Sequence, residues 1–198
     1  MSEWWTYNLS DFLMFSPEIY WRLVERYNHD VWPLQLLALL AGCVLLSLAA
    51  APRRGAQRIV QVVLAAAWLW TGWAFAWQRY AAINWAAEYL AIAFAIEALL
   101  LLVAAVFEGG AVAERVNPIA RRAGLLASAT GVLAYPVIGL LSGRALAQAE
   151  VFGLMPDPTA LTTLGLLLAL RIRFRAWLAI IPALSLIAGM LTLWTMAQ

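Results

Sequence analysis

Between Asn84 and Phe107 only two side chains, Glu88 and Glu97, carry charge in an otherwise apolar run. A helix rising ~1.5 Å per residue over that length reaches across the ~30 Å hydrocarbon core of a bilayer. The run has counterparts at 33–51, 59–78, 123–141, 151–170 and 176–196. With 84–107 included, the pattern predicts an all-α membrane protein with six transmembrane helices, the fifth (151–170) broken by Pro156 and Pro158. Composition points the same way: 65% of the 198 residues are apolar, 12% are charged, and the mean hydropathy is +0.80. An ordinary soluble domain is about a quarter charged. A soluble enzyme, a disordered chain and a coiled coil are excluded on these grounds. The expected organisation is an N-terminal interfacial segment over 1–32, followed by one transmembrane domain over 33–198.

Every basic residue is arginine, and the arginines are unevenly placed. Arg53, Arg54 and Arg58 follow the first span, Arg115, Arg121 and Arg122 the third, and Arg171, Arg173 and Arg175 the fifth. The loops after the second and fourth spans hold only Arg79 and Arg144. Loops rich in arginine stay on the cytoplasmic side. A multi-pass protein of the bacterial inner membrane is expected, with both termini and a net acidic face on the periplasmic side. The opening MSEWWTYNLSDFLMF lacks the basic n-region of a cleaved signal, so none is expected.

Within the N-terminal segment, Ser16 and Pro17 stand in the favoured order for a helix start. Ile19, Leu23, Val24 and Tyr27 then share one face, and Glu18, Arg22, Glu25 and Arg26 the other. With Trp4, Trp5, Trp21 and Trp32 around it, this reads as an amphipathic helix on the outer interface. A lid over an outward-facing pocket is the alternative.

The inventory limits the chemistry. Without lysine there is no Schiff-base or phosphate-loop lysine. Cys43 and His29 are single, so neither a disulfide nor a multi-histidine site is expected. HExxH, GxSxG, CxxC and glycine-rich phosphate loops are all missing. No metal, no cofactor, no enzymatic activity and no nucleic-acid partner are expected. The expected partners are membrane lipids, a second copy of the chain, or other membrane subunits.

Three features remain as candidate binding sites. Glu97 lies thirteen residues beyond Asn84, ~20 Å deep and past the midplane. A carboxylate there costs at least ~2.5–3.5 kcal/mol unless neutralised or hydrated. It reads as a proton or cation relay, or as a neutral carboxyl bonded between helices. Glu88 falls on the opposite side of the same helix, which disfavours a carboxylate dyad. In the fifth span, Asp157 suits an N-cap and Pro158 a first helical residue, leaving 152–156 as non-helical backbone at membrane depth. A helix start there, with Thr159, Thr162 and Thr163 behind it, resembles the broken helix of a transporter. Asp157 would favour a cation or neutral solute over an anion. Finally, Trp70, Trp73 and Trp77 share a face of the second span, either as an aromatic pocket or as packing and lipid contact. The fourth span carries small residues, Gly124, Ser128, Gly131, Gly139 and Gly143, suited to close helix approach, with a kink expected at Tyr135–Pro136.

The segments FSPEIYWRLVERYNHDVWPLQ (15–35), INWAAEYLAIAFAIEALLLL (83–102), YPVIGLLSG (135–143), FGLMPDPTALTTLGLLL (152–168) and IIPALSLIAG (180–189) resemble a family of small multi-pass bacterial membrane proteins of unknown function. The resemblance covers nearly the whole chain and implies a six-span fold without supplying an activity. Where this chain has PDPTA at 156–160, members of that family often have PCPTT, so no thiol chemistry carries over. Glu97 stands where the family often has Gln, which argues against an obligatory proton relay. Two functions stay open: binding or transport of a small solute or ion through a site near the midplane, and a non-catalytic accessory or assembly subunit of a larger membrane complex.

Overall fold

The computed structural model describes residues 15–51, 55–107 and 116–196. Trp4, Trp5, Arg53, Arg54 and Arg115 lie outside the described residues. Described residues form seven helices and no strand. They are α1 (Pro17–Asp30), α2 (Leu34–Ala50), α3 (Ala56–Ala82), α4 (Ala87–Phe107), α5 (Pro118–Leu141), α6 (Pro156–Ala169) and α7 (Arg175–Met196).

Four of these, α3, α4, α5 and α7, are long and apolar enough to cross a membrane. The number rises to five if α1 and α2, bent by 87° to each other, count as one broken span. Six spans were expected, and the difference comes from length. The expected span 151–170 contains only the 14-residue α6, ~21 Å long against a ~30 Å core. The expected span 33–51 is the 17-residue α2, ~26 Å long.

Helix α6 is instead the centre of the molecule. Its buried residues run all the way round it, from Asp157 and Pro158 through Thr162 and Thr163 to Leu166 and Ala169. A helix apolar on every side is either a span or a core element. Here α5, α7 and α3 cover it. The α5 contact is the closest: a side chain at Gly165 would meet the Gly124 carbonyl at 2.6 Å and the Ser128 amide at 2.6 Å. Gly131 is seated in the same way against Thr162. Gly124, Ser128 and Gly131 of the fourth expected span thus have a partner, and backbone approaches backbone as such stripes allow, whereas Gly139 meets the Arg144 side chain and Gly143, beyond the helix end, has no neighbour within 4 Å.

Proline shapes two elements. In α5 the expected kink at Pro136 is preceded by a π-helical stretch, Thr130–Ala134. A widened turn of this kind accommodates a residue without an amide donor. In α6 the helix begins at Pro156, with Met155 as the extended N-cap residue. Asp157 therefore sits inside the first turn and not at the cap, two residues off its expected place. Proline's fixed φ makes Pro156 as good a first residue as Pro158, and the earlier one takes the position. The preceding backbone is a buried turn in which Leu154 and Met155 donate to the Val151 carbonyl. Gly153 adopts φ +76°, a conformation that favours glycine.

Helix α1 follows its predicted start at Ser16 and Pro17, and its buried face keeps Val24 and Tyr27 of the expected side but is rotated away from Ile19. Tyr20, Val24, Tyr27 and Asn28 are buried while Ile19 is half exposed. The reason is a protein surface beneath it. The Tyr27 hydroxyl donates to the Leu154 carbonyl at 3.2 Å, and Asn28 Nδ2 donates to the carbonyls of Ala147 and Ala149 at 2.9 and 2.8 Å. Its far end is tied to α3 by the Arg79–Asp30 ion pair.

The two ends of the bundle differ in charge. At one end Arg121 donates to the carbonyls of Ala49 and Ala50 at the close of α2, and Arg58 donates to Ala105 near the close of α4. Arg171 and Arg175 share a cleft with Asn117 at that same end. The opposite end, under α1, carries Glu150 and Asp157.

Candidate functional site

Helices α5, α6 and α7 and the connection between α5 and α6 build the site buried under α1. Helix α6 supplies Asp157 in its first turn, only 6% exposed. The Tyr135 hydroxyl of α5 donates to Asp157 Oδ2 at 3.2 Å. Helix α7 supplies Gly189, and the Asp157 carboxylate occupies the space that a Cβ there would fill. Any larger residue at 189 would therefore displace the carboxylate.

The connection between α5 and α6 supplies the ion pair of the cluster. Arg144 Nη1 lies 3.2 Å from Glu150 Oε2, and the Glu150 side chain is 2% exposed. Burial pushes the Glu150 carboxyl up, and the Arg144 guanidinium beside it pulls part of the way back. On its other side the guanidinium stacks over the Trp21 ring of α1, 4.1 Å from the centroid, a cation–π contact that fastens α1 across the cluster. Glu150 and Asp157 are near enough for their charges to interact, and both act on the Tyr20 hydroxyl of α1. Tyr20 in turn packs edge-on to Tyr80 of α3 with ring centroids 5.9 Å apart. Two carboxyls and one guanidinium thus share a buried, aromatic-walled space. With both carboxyls ionised, the cluster has one negative charge in excess.

Glu97 is placed differently. It shares the buried face of α4 with Phe94, Ala98 and Leu101, inside the apolar cluster that contains Leu64 and Trp68 of α3. It is 0% exposed, and neither carboxyl oxygen has a hydrogen-bond partner. No electrostatic contact links it to Asp157. Trp68 shows the separation, because it packs on Phe94, three residues before Glu97, and donates to Thr163 at 3.0 Å. Asp157 lies six residues earlier on α6 than Thr163, ~9 Å along its axis.

The three threonines do not join either carboxyl. Thr159 Oγ1 accepts from the Gly153 amide at 2.8 Å and donates to the Met155 carbonyl at 2.6 Å, fixing the turn before α6. Thr163 donates to the Thr159 carbonyl while accepting from Trp68. The Thr162 hydroxyl is buried against Gly131 with no hydrogen-bond partner. Nor do the tryptophans enclose a pocket. Trp70 donates to the Tyr27 hydroxyl at 3.0 Å, whereas Trp73 and Trp77 are 52% and 51% exposed. Among the described residues no group of three His, Cys, Asp or Glu is placed to hold a metal ion.

Residues 17–197 match a family of unknown function (DUF6064). The chain belongs to that family. No curated protein and no solved structure matches it. Of the expected site residues, Asp157 alone stands in the cluster under α1. Its partners Arg144, Glu150, Tyr135 and Tyr20 escaped the sequence reading, although three charges within 144–157, close behind Tyr135, were the available signal.

Proposed function

We propose that this is an integral membrane protein that binds and passes a small monovalent cation, an alkali ion or a protonated amine, at Asp157 and Glu150 under α1. The carrying observation is that two carboxyl groups share a buried site with a single guanidinium. A buried charge is stable only when paired. Arg144 compensates one carboxylate, and an entering cation compensates the other. Tyrosine hydroxyls and carboxylate oxygens suit alkali or ammonium ions, which accept oxygen ligands without a fixed geometry. Glu97 is not part of this site.

The arginine-rich end supports a bacterial inner-membrane protein with α1 on the periplasmic side, so the cation enters from outside beneath α1. Lipids surround the bundle, and a homo-oligomer completes the path that four or five spans enclose poorly alone. The protein acts by binding and transport, not as an enzyme. Uptake of sodium and methylammonium into proteoliposomes tests the reading. Saturable uptake that Asp157→Asn abolishes is expected. Uptake equal to empty liposomes, with a stoichiometric membrane partner co-purifying, would replace the reading with that of an accessory subunit.

A further inference from the structure

The groups that face Asp157 decide what happens to its charge when no cation is bound. Tyr20 comes from α1, Tyr80 from α3 and Tyr135 from α5, while Gly189 of α7 backs the carboxylate. The connection between α5 and α6 adds Glu150, itself paired with Arg144 at 3.2 Å. Phenols keep their protons to about pH 10 and guanidiniums beyond it. The two carboxyls are therefore the groups of this shell that can change charge near neutrality. Glu150 has a charged partner, whereas Asp157 takes its hydrogen bond from the neutral Tyr135 hydroxyl. Asp157 is thus the group left to carry a proton.

We propose that this site exchanges its cation for a proton, one for one, at Asp157. Exchange rests on the reading of the cluster as a cation site and adds the ion that moves the other way. Asp157 is 6% exposed, and a carboxylate so buried is costly without a compensating charge. The empty site therefore keeps a proton on Asp157 and is neutral, with Glu150 and Arg144 cancelling each other. When a monovalent cation enters, the carboxyl O–H bond breaks and its electron pair stays on the oxygen. The cation takes the place of the proton, which leaves to water, and the charge of the cluster is the same before and after. Burial and the Glu150 charge raise the Asp157 carboxyl to about 7, with the Tyr135 hydrogen bond opposing them. The two occupants then compete near neutral pH.

Proton release from the full chain in detergent tests it, followed with a pH dye in weak buffer as sodium, potassium or methylammonium chloride is added. Thermal stabilisation of the same samples reports cation binding independently. The cation that stabilises the chain is expected to release about one proton per cation bound at pH 6, and to bind about 10-fold more weakly at pH 6 than at pH 8. Asp157→Asn should release none. Tyr135→Phe removes the opposing hydrogen bond, so it should keep the exchange and shift its midpoint to higher pH. Glu150→Gln leaves one carboxylate for one guanidinium, so cation response and proton release should disappear together, while melting without added cation shows that the variant folds. Cation binding without proton release, and with equal affinity at pH 6 and pH 8, overturns exchange and leaves the cation site standing. Undiminished proton release from Asp157→Asn also overturns it. If none of the three cations stabilises the chain at either pH, the cation site and the exchange fall together.

Discussion

Two regions of this molecule bury carboxyl groups, and they treat them oppositely. Around Glu97 the walls are apolar and both oxygens lack a hydrogen bond. Under α1, Asp157 has Tyr135, Glu150 has Arg144, and α1 closes over both through Trp21. Depth in the membrane draws attention to Glu97, but depth measures only what a charge costs. What a group can bind depends on which other polar groups converge on it, and they converge on Asp157.

Substitutions in the two regions should therefore differ in size and sign. The largest effect is expected from Arg144→Ala, which leaves Glu150 buried and unpaired. Breaking such a pair costs about 3 kcal/mol at the lower end of its range, suited to an arginine that keeps some exposure. Thermal unfolding in lipid nanodiscs would show it, and adding Glu150→Gln to the same chain should recover most of the loss. If the double variant is as unstable as the single one, the pair is not what holds the connection.

Gly189→Ala comes next. Its new methyl falls where the Asp157 carboxylate lies, and overpacking of this kind costs about 1–3 kcal/mol. The same assay should register that loss together with loss of any cation response. Glu97→Met should move stability the other way. Removing an unsatisfied buried polar group and filling its volume returns about 1 kcal/mol. A strongly destabilised Glu97→Met would mean that Glu97 has a partner after all, and the contrast between the regions would fail. Trp73→Phe and Trp77→Phe, on exposed side chains, should change stability by no more than about 0.5 kcal/mol.

Much of the helical plan was legible before any coordinates. The runs at 84–107, 123–141 and 176–196 fall within about five residues of α4, α5 and α7, because long apolar stretches fix them. The glycine and serine stripe of α5 also announced a close partner. The number of spans was not legible. A helix packed on all sides by protein and one facing lipid are equally apolar, so α6 looked like a span although it is too short to be one. The π-helical stretch Thr71–Trp77 left no signal either.

The acidic cluster was only half visible. Asp157 stood out beside Pro156 and Pro158, but Arg144 and Glu150 looked like ordinary loop charges. Their burial depends on where α1 docks. The alternation of α1 suggested a lipid-facing side of Ile19, Leu23, Val24 and Tyr27, but Val24 and Tyr27, together with Tyr20 and Asn28, found a protein surface instead.

The most direct measurement is cation-dependent thermal stabilisation of the wild-type chain, Asp157→Asn and Glu97→Gln, side by side in nanodiscs. Sodium, potassium and methylammonium chloride would be titrated at constant ionic strength. At least one of the three should stabilise the wild type saturably, Glu97→Gln should respond to it identically, and Asp157→Asn should not respond. A response kept by Asp157→Asn and lost by Glu97→Gln would contradict the assignment and return the site to the centre of α4.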